Sequence, residues 1–166
     1  MLVTHHGDRV YNTVLGMMQS AEDAEDVAQE VFISVFQHVG SFRGDAKLGT
    51  WLYRIAITKS LEALRRKGLK QSRMNTELND ADGMHAGSFQ HPGVALENRE
   101  KAGILFCALE RLPETQKTAF VLHKTEGLSY AEIAAVMELT LPAVESLIYR
   151  ARQGLQKLLA SFYHNT

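Results

Sequence analysis

Several features are scarce in this sequence, and each absence excludes a class of protein. The chain has 166 residues and one cysteine, Cys107, so it cannot form an internal disulfide and does not look secreted. Without a CxxC pair, a zinc site would need histidines and carboxylates alone, and we expect no metal or other cofactor. No uncharged apolar run approaches the ~18 residues that a membrane span needs. The N-terminus also lacks the apolar core of a signal peptide, so we expect a cytoplasmic protein without direct membrane insertion.

Proline and strand-like patterning are also scarce. Prolines occur only at positions 92, 113 and 142, and no stretch shows convincing alternation of apolar and polar residues. Residues 22–38 instead place apolar side chains at helical spacing, and residues 50–67 repeat this pattern before Gly68. The sequence therefore predicts an all-α protein.

Residues 68–93 differ in composition from the rest of the chain. They are rich in glycine, asparagine, aspartate, serine and histidine, and they show no sustained period. Such a segment buries too little apolar surface to offset its ordering entropy. We therefore predict two small helical domains, residues 1–68 and 94–166, joined by a flexible linker over residues 69–93. The C-terminal domain is predicted to be a helix-turn-helix.

The net charge of −1 conceals a strong segregation of charge. Residues 1–40 carry a net charge of −5, residues 41–73 carry +7, residues 74–100 carry −4, and residues 101–166 carry +1. An acidic block beside a basic block indicates one anionic partner and one cationic or polar partner. The alternative is that these charges only solvate helix faces.

The helix-turn-helix prediction depends on the segment from residue 129 to about 153. Ser129 and Glu132 have the spacing of a capping box, and Thr140 and Pro142 suit the start of a second helix after a short turn. The second helix has one apolar stripe and one polar face, as in a DNA-recognition helix. The alternative is an ordinary helical hairpin at the end of a bundle.

Two longer segments resemble a known family when taken together. They are DAEDVAQEVFISVFQHVGSFRGDAKLGTWLYRIAITKSLEALRRK at residues 23–67 and LERLPETQKTAFVLHKTEGLSYAEIAAVMELTLPAVESLIYRARQGLQKLL at residues 109–159. They resemble the two conserved regions of extracytoplasmic-function sigma factors, in the sigma-70 family of bacterial RNA polymerase. The resemblance implies a sigma factor, not an enzyme, that binds core RNA polymerase and directs promoter-specific initiation of transcription.

The resemblance assigns the acidic helix near residues 23–38 to polymerase binding. Phe32 and Phe36 lie partly off the apolar stripe, and they either pack on this partner or belong to the core. The implied contacts with core polymerase are Asp23, Asp26, Gln29, Glu30 and Phe32.

The resemblance assigns the loop at residues 41–46 and the next helix to the −10 promoter element. In the family, the matching loop captures a flipped base, and interleaved aromatic and basic residues suit a melted strand. Trp51 and Tyr53 are alternatively core aromatics, and for Trp51 we favour a mainly structural role. The implied −10 contacts are Arg43, Asp45, Lys47, Trp51, Tyr53, Arg54, Lys59, Arg65 and Arg66.

The helix-turn-helix is implied to bind the −35 element as duplex. Glu145 could accept from a cytosine amino group, and Arg150 or Arg152 could bind phosphate or guanine. Because Glu145 and Leu147 stand where many relatives carry basic residues, the −35 sequence preference does not transfer. The implied −35 contacts are Tyr130, Thr140, Ala143, Glu145, Ser146, Tyr149, Arg150 and Arg152.

The implied partners are core RNA polymerase, promoter DNA and an anti-sigma factor, with no small-molecule substrate. Two alternatives remain open at this point. A stand-alone helix-turn-helix regulator would need only residues 94–162, although it would leave FRGDA and TWLYRIA unexplained. A helical adaptor or sequestering decoy would bind a protein partner without starting transcription.

Overall fold

The computed structural model describes residues 2–77 and 96–164, and their side chains at 6–74 and 98–164. Within these ranges the chain is helical and has no β-strand, which confirms the all-α prediction. The helices are α1 (Leu2–Met18), α2 (Ala21–His38), α3 (Leu48–Glu77), α4 (Leu96–Glu110), α5 (Glu114–Lys124), α6 (Tyr130–Met137) and α7 (Leu141–His164). A short 3₁₀ turn, Val39–Ser41, follows α2. We refer to α1–α3 as the N-terminal half and to α4–α7 as the C-terminal half.

The N-terminal half is a three-helix bundle whose apolar stripes face inward. Ser20 caps α2, because its hydroxyl oxygen accepts from the Asp23 amide at 3.3 Å. The predicted stripe of α2 is buried, and Val31 has no exposed surface. This stripe packs in one cluster with Val14 of α1 and Ala56 of α3. Burying such side chains contributes roughly 1.5–3 kcal/mol each, so the stripe determines which face of α2 remains outside.

The C-terminal half is organised around α7, which packs against α4, α5 and α6. Val144, Ile148, Ala151 and Leu155 of α7 are buried, as the apolar spacing predicts. On α6, Ile133 and Val136 are buried. The buried stripe of α7 leaves the opposite face of this helix exposed along its first three turns.

Helix α3 corrects the predicted start of the linker. It continues to Glu77, nine residues past the predicted domain boundary at residue 68. Gly68 lies inside the helix because glycine weakens a helix without terminating it, and the following residues are mostly good helix formers. Residues 78–93 of the predicted linker lie outside the described part of the chain.

One apolar cluster joins the two halves. Met17 of α1 and Tyr53 and Ile57 of α3 belong to the same buried cluster as Val121 of α5 and Ile133 of α6. The sequence predicted two helical domains, but it gave no indication of this shared packing. The cluster places the basic helix α3 directly beside the helix-turn-helix.

Candidate nucleic-acid interface

Helices α6 and α7 form the predicted helix-turn-helix, with a three-residue turn between them. The capping box is complete: the Glu132 amide donates to Ser129 Oγ at 3.2 Å, and the Ser129 amide donates to Glu132 Oε2 at 2.8 Å. The latter bond lowers the pKa of the Glu132 carboxyl. Glu138 ends α6 in a left-handed conformation, with a φ of 56°.

Replacing Ser129 with alanine is expected to lower the free energy of unfolding by about 1 kcal/mol, because α6 loses its N-cap. Urea denaturation followed by circular dichroism would measure the difference. Ser146→Ala is the matched control, since Ser146 is exposed within α7 and caps no helix. Equal losses for the two variants would contradict this role of the capping box.

The outward face of α7 carries most of the residues predicted to contact duplex DNA. Tyr149 is 65% exposed although its neighbour Ile148 is 1% exposed, so the helix separates a solvent-facing side from a core side. The exposed predicted residues are Glu145, Ser146, Tyr149, Arg150 and Arg152. This face therefore combines hydrogen-bonding and cationic groups that can reach base edges and phosphates.

The other three residues predicted for the −35 element have structural contacts or partial burial. Tyr130 is half-buried and packs edge-on against His123, with ring centroids 5.1 Å apart. Thr140 is exposed and caps α7, since its Oγ1 accepts from the Ala143 amide at 3.4 Å. Ala143 is half-buried in the first turn of α7.

The loop before α3 presents polar groups next to an aromatic pair. Arg43, Asp45 and Lys47 are exposed. Phe42 and Trp51 lie with ring centroids 5.2 Å apart, and Trp51 also packs partly against the core of the N-terminal half. Trp51 therefore has the structural role that the sequence favoured, and its half-exposed ring still borders the polar loop.

The predicted −10 contacts on α3 have three different environments. Arg65 and Arg66 are exposed, whereas Lys59 is half-buried and pairs with Glu62 at 3.2 Å. Tyr53 and Arg54 face the C-terminal half instead. Helix α3 carries several of the predicted cations, but among them only Arg65 and Arg66 are exposed.

Tyr53 is buried, with 6% of its surface exposed, and its hydroxyl donates to Glu126 Oε2 at 3.0 Å. Burial and the neighbouring Glu126 carboxylate raise the pKa of Tyr53 to about 12. Burial also raises the pKa of Glu126, although the hydrogen bond from Tyr53 opposes that rise. Arg54 donates through Nε and Nη2 to the Ala135 carbonyl at 3.1 and 2.6 Å.

The acidic face of α2 is partly engaged with α3. Arg66 donates to both carboxylate oxygens of Glu30 at 3.0 Å, and Lys67 donates to Asp23 at 2.8 Å. Glu30, predicted to contact polymerase, therefore pairs with Arg66, predicted to contact DNA. Because these pairs are solvent-accessible, they stabilise the fold only slightly.

The exposed part of α2 also contains an apolar patch that the sequence only partly revealed. Ile33 is 58% exposed and Phe36 is 85% exposed, whereas Phe32 is half-buried against the core. Asp26 and Gln29 are exposed one to two turns earlier on the same helix. In the sequence, Ile33 and Phe36 are offset from the apolar stripe that contains Val31. Large apolar residues on an outer helix face indicate a protein contact, so this offset could have predicted the patch.

The described residues contain neither a cluster of metal-ligating side chains nor a membrane-spanning helix. No group of three histidine, cysteine, aspartate or glutamate side chains there could hold a metal ion. None of the helices described has the length and apolar character needed to cross a membrane.

Two family models match this chain, one in each half. The model for sigma-70 region 2 matches residues 2–69, and the model for sigma-70 region 4 matches residues 102–155. The first match covers α1, α2 and most of α3, and the second covers α5, α6 and more than half of α7. Together they span nearly three-quarters of the chain.

Curated relatives are similar over almost the whole chain. RNA polymerase sigma-H factor of Pseudomonas aeruginosa is 35% identical over 163 residues, covering 96% of this chain and 84% of the relative. The ECF RNA polymerase sigma-E factor of Escherichia coli K12 is 33% identical over 159 residues, covering 93% and 83%. The similarity therefore includes both halves and their order.

Solved structures share the arrangement of helices. The sigma factor RpoE of Bartonella quintana, solved with the anti-sigma factor NepR, has a TM-score of 0.71 at 20% identity, covering 95% of this chain and 94% of that one. CnrH, solved with the cytosolic domain of CnrY, has a TM-score of 0.70 at 25% identity, covering 96% and 86%.

Proposed function

Because this chain belongs to the extracytoplasmic-function group of the sigma-70 family, we propose that its two halves divide promoter recognition between them. The protein binds core RNA polymerase and directs initiation at specific promoters. The N-terminal half reads the −10 element, and the C-terminal helix-turn-helix reads the −35 element. The carrying observation is the helix-turn-helix with an exposed polar face on α7, joined in one chain to the basic helix α3.

The −35 contacts are made by the exposed face of α7. Tyr149 and Ser146 lie in the first three turns of α7, and the first turns of a recognition helix are the part that meets base edges. Arg150 and Arg152 follow, and they supply positive charge to phosphates. Thr140 supports this face by capping α7, so its contribution is partly structural.

The −10 contacts are made by the polar loop and by α3. Arg43, Asp45 and the loop backbone provide hydrogen-bonding groups for an unstacked base, and the half-exposed Trp51 ring provides a stacking surface beside them. Arg65 and Arg66 lie farther along α3 and contact the phosphates of the melted strand. Arg54 lies beside them, with its guanidinium hydrogen-bonded to the Ala135 carbonyl, whereas Tyr53 is buried against the C-terminal half.

Core polymerase contacts the exposed face of α2. The polar residues Asp26 and Gln29 flank the apolar patch of Ile33 and Phe36, and this combination suits a protein interface with an apolar centre. The protein acts through binding and uses no catalytic residue. It works beside the polymerase in the cytoplasm.

Run-off transcription with purified core polymerase tests this function. We expect a product of defined start site only when this chain, core polymerase and a promoter template are combined. Duplex binding without core polymerase, and no transcript, would indicate a stand-alone regulator instead. Binding to core polymerase without any promoter-specific product from any genomic template would indicate a decoy.

We also propose an anti-sigma factor as a regulatory partner, since both solved relatives were captured in complexes, RpoE with the anti-sigma factor NepR and CnrH with the cytosolic domain of CnrY. Affinity purification of the tagged chain from unstressed cells is expected to recover such a protein besides polymerase. Recovery of polymerase alone would contradict this partner.

A further inference from the structure

The first turn of α7 presents an apolar side chain to solvent. Leu141 is the first residue of α7 and is 46% exposed. The buried residues of this helix begin three positions later, at Val144. Within the described ranges, Leu141 is a member of none of the buried apolar clusters. Packing of the described residues therefore does not account for a leucine at this position.

The neighbouring leucine in the turn has different surroundings. Leu139 is 38% exposed and lines a groove with Ile57 of α3 and Val136 of α6. Leu141 follows the Thr140 cap, and because the Cβ atoms of a helix tilt toward its N-terminus, its side chain extends toward that end of α7. A single exposed leucine is ordinary on most surfaces, but the first turn of a recognition helix is the part that enters the major groove.

Leu141 lies in line with two other exposed residues of α7. Leu141, Glu145 and Tyr149 are four residues apart, so they occupy successive turns of one helix face. Four residues of α-helix rise about 6 Å, whereas successive base pairs stack about 3.4 Å apart. In a helix that lies along the groove, Leu141 and Glu145 therefore meet base edges about two steps apart.

The two side chains differ in the base edge that each can accept. Leucine has no hydrogen-bonding group, and thymine is the base that presents a methyl group in the major groove. Contact with that methyl group buries apolar surface on both sides, whereas contact with an amino group would leave a donor desolvated and unpaired. The Glu145 carboxylate only accepts hydrogen bonds, which suits the amino group of cytosine.

We propose that Leu141 is a specificity-determining residue that selects a thymine in the −35 element through its ring methyl group. This thymine lies about two base pairs from a cytosine that Glu145 selects. The inference rests on the proposed function of α7 and extends it from a DNA-binding face to particular bases. It assigns the sequence preference to the apolar and acidic groups of the first two turns, and the charge on Arg150 and Arg152 serves phosphates.

Replacing thymine with deoxyuridine tests this proposal, because the change removes only the methyl group. The holoenzyme is assembled from this chain and core polymerase, and each thymine in the −35 element of a promoter mapped by run-off transcription is replaced singly. Competition against the labelled promoter duplex, followed by fluorescence anisotropy, measures the affinity. For wild type we expect one thymine whose replacement weakens binding by about fourfold, the factor that corresponds to one buried methyl group. Leu141→Ala is expected to bind the two duplexes equally at that position.

Two further variants control for the truncation itself. Leu139→Ala makes the same change in the turn, where the side chain lines the groove toward α3, and we expect it to keep the fourfold difference. Leu141→Met retains an apolar side chain of similar volume, so it should restore at least about half of the difference that alanine removes. Thermal unfolding of Leu141→Ala should match wild type, because Leu141 is largely solvent-exposed.

The position of the cytosine is tested with Glu145→Ala holoenzyme. Each base pair of the −35 element is replaced in turn, and the affinities are compared with those of wild type. We expect one C·G pair whose replacement weakens wild type but not the variant, and we expect it about two base pairs from the thymine that depends on Leu141. A Glu145-dependent pair at the far end of the element would contradict this alignment of α7.

A −35 element without a methyl-dependent thymine, or the same methyl dependence in Leu141→Ala as in wild type, would overturn the role of Leu141. Run-off transcription separates this failure from a failure of the proposed function. A transcript that requires the −35 element, together with no effect of any deoxyuridine, would reject only the selection of thymine by Leu141. A specific transcript that is independent of the −35 element would reject the proposed function of α7 itself.

Discussion

Replacing Ile33 and Phe36 together with alanine is expected to weaken binding to core RNA polymerase by about tenfold to a hundredfold. Both side chains are mostly exposed on α2, so their removal leaves the core of the N-terminal half intact. Apolar side chains at the centre of an interface contribute a disproportionate share of affinity, and a loss of about 1.4–2.8 kcal/mol for the pair corresponds to tenfold to hundredfold. Titration of core polymerase against the labelled chain would measure the change.

Gln37→Ala is the control for this experiment, since Gln37 is exposed beside Phe36 and lacks an apolar surface to bury. Thermal unfolding of the double variant should match wild type. Wild-type affinity of the double variant for core polymerase would show that α2 binds its partner through another face.

Replacing Ile148 with alanine is expected to remove about 2–5 kcal/mol from the free energy of unfolding, because a buried side chain is truncated and leaves a cavity. Ile148 is 1% exposed and packs in the cluster shared with α5 and α6. A domain of ordinary stability has only about 5–15 kcal/mol in total, so duplex binding is expected to be lost at temperatures that wild type tolerates. Urea denaturation followed by circular dichroism would measure the loss.

Tyr149→Ala is the matched control on the next residue of the same helix. Its side chain faces solvent, so stability is expected to stay within about 0.5 kcal/mol of wild type. Binding to the −35 duplex should nevertheless weaken, since Tyr149 lies on the recognition face. Equal destabilisation by both substitutions would mean that α7 has no separate core and DNA faces.

The parts of this fold that follow from local periodicity could be predicted from the sequence. The Val27–Val31–Val35 stripe of α2 and the Val144–Ile148–Leu155 stripe of α7 are both buried where their spacing predicts. The Ser129 cap is also local, because its hydrogen bonds join residues three positions apart. The end of α3 was not predictable in this way, because Gly68 ends a helix only when the surrounding chain favours a turn.

The contacts between the halves were not predictable because they join residues far apart in sequence. From the sequence alone Lys117 resembles a surface lysine, but in the structure it is hydrogen-bonded to the Met17 carbonyl of α1. Tyr53 was predicted to face DNA, but in the structure its hydroxyl is hydrogen-bonded to Glu126. The spacing of Phe36 permitted either a core or a surface position, so the sequence did not predict its exposure. Only the packing of the neighbouring helices distinguishes these roles.

The division of promoter recognition between the two halves is tested most directly by run-off transcription on matched templates. A promoter mapped with the wild-type holoenzyme would be prepared in three forms, intact, with the −10 element replaced, and with the −35 element replaced. We expect a specific transcript from the intact template and its loss from each replaced template. A transcript that depends on only one element, or no specific transcript from any template, would contradict the two-part reading of the promoter.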